Sequence, residues 1–80
     1  MNVQVKLFAV ARQLAGTDTV ELSLPEATVG EVRRALLLKI PELHELANHL
    51  RFAVNSEYAG DDTVITENCE IACIPPVSGG

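Results

Sequence analysis

Eighty residues, 48% of them hydrophobic, are enough for one domain with a single small core and no staples. Eleven acidic residues against six basic ones leave a formal charge of −5, which argues against nucleic acid or an anionic membrane surface as partner. Phe8, Phe52 and Tyr58 are the only aromatic residues, so a platform for stacking bases is not expected either.

The chain opens on MNVQVKLF, which lacks the basic start and long apolar stretch of a signal peptide. No apolar run approaches the roughly 20 residues of a membrane span, and a soluble, cytoplasmic protein is expected. Within residues 2–8, Val3, Val5 and Leu7 alternate with Gln4, Lys6 and Phe8, which predicts a half-buried strand. Phe8 is the misfit on its polar face. Residues 9–18 read as a loop or short helical turn that closes on Gly16-Thr17-Asp18. Residues 19–24 alternate again, with Val20, Leu22 and Leu24 inward, and pair with the first strand as a hairpin.

The period then changes. Thr28 and Glu31 have the spacing of a capping box, and Val32, Ala35, Leu36 and Ile40 follow at helical intervals. Arg33, Arg34 and Lys39 are expected on the solvated side or toward the helix end. Pro41 stops this helix and can open the next, in which Leu43, Leu46, Ala47 and Leu50 form a shorter apolar stripe. Short strands are expected at 52–54, 58–59 and 69–74, separated by turns at Asn55-Ser56-Glu57, Gly60-Asp61-Asp62 and Glu67-Asn68. The last strand can lie beside the first, in the middle of the sheet. The expected fold is therefore α+β, a mixed sheet with its helices on one face, the arrangement called a β-grasp. One domain over residues 1–76 and a flexible tail over 77–80 complete the reading.

No catalytic or metal constellation is apparent. His44 and His49 are five apart and share no helical face, so surface positions are expected. Cys69 and Cys73, placed on one strand, would lie roughly 13 Å apart at about 3.3 Å per residue, too far for a disulfide. Cys73 is expected to pack as a small hydrophobe. What remains is the end, IPPVSGG. Pro75 and Pro76 end the last strand and stiffen the exit, and Val77, Ser78, Gly79 and Gly80 follow. From Ile71 to Ser78 no side chain is charged. A thin neutral tip bearing only the Gly80 carboxylate would suit another enzyme's narrow channel.

LFAVARQLAGTD at 7–18, AVN at 53–55 and IPPVSGG at the end together resemble the small subunit of molybdopterin synthase, a ubiquitin-like sulfur carrier. The likeness runs through nearly the whole chain, and PPVSGG is its most specific part. It implies that an adenylating enzyme activates the Gly80 carboxylate with ATP and that a C-terminal thiocarboxylate follows. It also implies that the tail enters a large subunit, the partner in a heterotetramer of two small and two large subunits, to sulfurate a cyclic pyranopterin monophosphate. On this resemblance the chain binds no cofactor or metal and has no active site of its own. Phe8, Tyr58, Ile74, Pro75, Pro76, Val77 and Ser78 are the expected partner-binding residues, with Arg12 matching the family's first-loop arginine. A sulfur carrier for thiamine or a thio-amino acid, a ubiquitin-like modifier, or a plain interaction domain are the alternatives.

Overall fold

The computed structural model describes residues 1–76. In chain order these form β1 (Asn2–Leu7), α1 (Ala9–Ala15), β2 (Thr19–Ser23) and α2 (Val29–Lys39). A run of 3-10 turns (Pro41–His49) follows, then β3 (Arg51–Val54), β4 (Glu57–Ala59) and β5 (Ile71–Ile74). The strands make one sheet in the order β2-β1-β5-β3-β4. β5 lies parallel to β1, with Leu7 opposite Cys73, while every other pairing is antiparallel. This is the expected β-grasp, with the last strand threaded between the first and the third.

Period-two alternation decides which face is covered. Val3, Val5 and Leu7 of β1, Val20 and Leu22 of β2, Phe52 of β3, and Ile71 and Cys73 of β5 are all buried. Val29, Val32 and Leu36 of α2 and Leu43 of the 3-10 run complete the core on that side. Gln4, Lys6 and Glu21 point the other way and are exposed.

The helix starts and stops follow from local chemistry. Thr28 Oγ1 accepts from the Glu31 amide at 3.3 Å, which is half of a capping box. The other half is replaced: the Thr28 amide donates to Glu26 O, and the Glu31 carboxylate pairs instead with Arg34 at 3.6 Å. The first-turn amides of Val29 and Gly30 donate to Thr63 O and Asp61 O, so the 60–65 loop caps α2 from outside. Ile40, held before Pro41, leaves helical geometry at φ −126°, ψ 81°.

Some expectations change in detail. Residues 9–15, expected as part of a loop or short helical turn, take the second form as a seven-residue helix, which ends on Gly16 in the left-handed region at φ 75°, whose amide donates to Arg12 O at 3.0 Å. Residues 41–49 wind as 3-10 turns, in which side chains three apart eclipse, so Leu43 and Leu46 both turn toward the core. The last strand begins at Ile71, not Cys69; Cys69 lies before it, just after Asn68 at φ 69°.

Gly16 explains why the first motif closes on glycine. A Cβ there would meet no neighbour within 4 Å, so only backbone strain opposes it. Gly16→Ala is expected to cost about 1 kcal/mol, read as a lowered urea midpoint with an unchanged slope.

Arg33 is not on a solvated side. Its Nη1 donates to Ala47 O at 3.1 Å and Leu50 O at 2.9 Å, and its Nε to Asp61 Oδ1 at 3.2 Å. The guanidinium also lies 5.0 Å from the centre of the Phe52 ring. One side chain of α2 thus ties down the 3-10 run, the start of β3 and the capping loop.

Candidate docking surface at the root of the tail

The outer sheet face is the one the helices leave bare. On it the register sets Tyr58 beside Ala53, Ala53 beside Ala72, and Ala72 beside Lys6. One step nearer the tail, Ile74 stands opposite Arg51. Phe8 joins them by a different route from the one its alternation suggested. The strand ends at Leu7, and Phe8 is the extended residue before α1, at φ −124°, ψ 156°. Ala9 then adopts φ 50° and turns the chain into the helix. Phe8 is left 47% exposed and Tyr58 65%.

Phe8, Ala53, Tyr58, Ala72 and Ile74, with Ser56, line one concavity. The two alanines leave the space between the larger side chains. Phe8, Val10, Leu46, Ile74, Pro75 and Pro76 line a second. A third surrounds the tail root, from Asn48, His49 and Arg51 across Tyr58 to Pro75 and Pro76. No acidic side chain lines any of the three. Pro75 is buried and Pro76 exposed.

Of the expected site residues, Phe8, Tyr58, Ile74, Pro75 and Pro76 therefore come together. Arg12 is exposed on α1 and lines none of these concavities. Val77, Ser78, Gly79 and Gly80 lie outside the described residues. His44 and His49 are both on the surface, as expected, but His49 also borders the tail root. Arg51 was missed. Its guanidinium sits 5.3 Å from the centre of the Tyr58 ring, a cation–π stack at the edge of the surface. Strand parity could have found it, since residues 51 and 53 share a face once β3 begins at Arg51.

The gathered groups are mostly apolar, a composition suited to binding. Cys73 lies next to Ile74 in sequence yet faces the core, where burial pushes its thiol up to about 11, opposed in part by the Arg33 charge. A protonated, enclosed thiol is a poor nucleophile. Cys69 is half-buried and also free. Alkylation at pH 8 is expected to label Cys69 in the native chain and to reach Cys73 only in denaturant, read by counting modified thiols by mass.

A family model described as the ThiS family matches residues 5–80. The molybdopterin synthase sulfur carrier subunit of Arabidopsis thaliana is 37% identical, over 100% of this chain and 84% of that protein. The crystal structure of SAMP1 from Haloferax volcanii superposes with a TM-score of 0.86 at 31% identity, covering 100% of both chains. A chain from the complex of subunits 1 and 2 of molybdopterin-converting factor from Helicobacter pylori shares the fold, with a TM-score of 0.71 at 23% identity over 100% of both chains. Full-length matches of this kind, on a sheet with β5 threaded beside β1, leave one assignment: the chain belongs to the ThiS family.

Proposed function

We propose that this chain is the sulfur carrier subunit of molybdopterin synthase. The observation that carries the reading is the convergence of Phe8, Tyr58, Ile74, Pro75 and Pro76 into one apolar, acid-free surface that includes the last described residues, four positions before the C-terminal Gly80 of the sequence. The kinship with sulfur carrier subunits supports it.

The chemistry belongs to Gly80. Its carboxylate attacks the α-phosphorus of ATP on an adenylating enzyme and releases pyrophosphate. A sulfur nucleophile then displaces AMP from the acyl adenylate, leaving a thiocarboxylate. Adenylation matters because oxide is a poor leaving group and AMP a good one. Pro75 and Pro76 stiffen the exit, Val77 and Ser78 give reach, and Gly79 offers no side chain to a narrow channel. Phe8, Tyr58 and Ile74 dock the large subunit, and Arg12 meets an acidic group of a partner. The large subunit supplies the pocket and the proton transfers, while the carrier gives its sulfur to cyclic pyranopterin monophosphate. Two transfers build the dithiolene, in a heterotetramer of two small and two large subunits in the cytoplasm. The carrier itself holds no cofactor beyond the covalent sulfur.

The likeness to SAMP1, a small archaeal modifier protein, favours a second reading, a protein modifier whose terminal glycine forms an isopeptide bond with lysine. Complementation separates them. A strain lacking its molybdopterin carrier is expected to regain molybdoenzyme activity when this chain and its partner subunits are supplied. Failure of rescue together with lysine-linked conjugates would assign the chain to the modifiers.

A further inference from the structure

The six basic residues divide into two groups. Arg33 pairs with Asp61 and Arg34 with Glu31, while Lys39 Nζ donates to Glu21 O at 2.9 Å. Lys6, Arg12 and Arg51, by contrast, have no ion pair or side-chain hydrogen bond among the described residues, although the chain carries eleven acidic residues. Arg12 is on α1, whereas Lys6 and Arg51 lie on the bare sheet face. Lys6 stands beside Ala72, and Arg51 opposite Ile74.

Arg51 is the better placed of the two. The Tyr58 ring supports one side of its guanidinium, and Asn48, His49 and Tyr58 border the same concavity. Stacking holds the planar fork in place while its N–H groups stay available, and a fork of that shape matches a carboxylate. Arg51 lines this hollow beside the apolar surface, where a docked protein would displace water and strengthen the pairing.

We propose that Arg51, braced by Tyr58, receives an aspartate or glutamate side chain of the protein that docks on this face and so helps select that partner. The inference rests on the reading of this surface as the dock for the large subunit. Lys6 adds a second positive charge on the same side. A net-negative carrier would otherwise repel an acidic partner, and these cations reverse that locally.

The test is the affinity of the large subunit for the intact chain, measured by calorimetry at two salt concentrations. Arg51→Glu is expected to weaken binding by about tenfold or more and to flatten its salt dependence. Arg51→Lys, which keeps charge but loses the fork and the stack, is expected to fall between. Thermal melts should match the wild type, since Arg51 is exposed. Changing the facing acidic residue of the large subunit to Arg should restore binding to Arg51→Glu.

Binding by Arg51→Glu within about twofold of wild type, while Phe8→Asp loses it, overturns this inference and leaves the docking surface standing. If deleting Gly79 and Gly80 erases the effect of Arg51→Glu, the guanidinium serves this chain's own terminus and the inference also fails. Absence of any binding by the wild-type chain overturns the docking reading itself.

Discussion

Deleting Gly79 and Gly80 is expected to abolish sulfur loading and molybdopterin formation completely, with no change in the melting temperature. The expected loss is total because the reaction needs one particular carboxylate at one particular reach. A chain ending at Ser78 would present its carboxylate about 7 Å short of the original position, at about 3.3–3.6 Å per residue. Its terminal residue would also carry a Cβ, which Gly80 lacks. Stability should be indifferent, because the described sheet, core and capping interactions already close among residues 1–76. Binding to the large subunit should survive in part through Phe8, Tyr58 and Ile74. A truncated chain that binds but does not transfer would separate docking from chemistry in one experiment.

The second large effect is on stability. Arg33→Ala is expected to destabilise the fold by about 2–3 kcal/mol and to lower the melting temperature by roughly 10 °C or more. The backbone carbonyls of Ala47 and Leu50 lose a charged donor, and the Phe52 ring loses the group above it. The ion pair itself contributes little of this. Asp61 is 56% exposed, so solvent screens the pair, and Asp61→Asn should cost no more than about 0.5 kcal/mol. Arg33→Lys should recover only a minor part, because an ammonium cannot reach two carbonyls and a carboxylate with a fixed fork. Chemical denaturation of the three variants gives the ordering directly.

These two predictions draw on features of very different legibility. The tail motif is local, with two prolines, an uncharged stretch and two glycines side by side in the chain, and its end at 77–80 lies outside the described residues. The sheet was readable for a similar reason. Alternation over 2–8 and 19–24 marks which residues face inward, and Thr28 and Pro41 mark a helix by rules that act within one turn. Arg33 was not readable. Its hydrogen-bond partners lie 14, 17 and 28 residues away, and helical phase alone sets it at the edge of the Val32–Leu36 stripe. Only the return of the 3-10 run and the capping loop against α2 half-buries that edge.

Phe8 falls between these cases. Its exposure was legible, but the cause was not. Alternation placed it on the outer face of a strand, whereas the strand has ended and a turn at Ala9 with φ 50° delivers it there. The 3-10 winding of 41–49 was likewise hidden, since leucines three and four apart serve an α-helix and a 3-10 turn equally well. Arg51 was lost to a boundary set one residue late, and with it the polar border of the tail root.

The central claim is that the Gly80 carboxylate carries sulfur to a pyranopterin. The most direct measurement follows one turnover of the thiocarboxylated chain with the large subunit and cyclic pyranopterin monophosphate. The intact mass of the carrier and the amount of molybdopterin would be read from the same sample. The account predicts that the carrier returns to its carboxylate mass as molybdopterin appears, two carriers consumed for each dithiolene. A carrier that keeps its sulfur while molybdopterin forms, or that loses it to water with no molybdopterin made, would contradict the account.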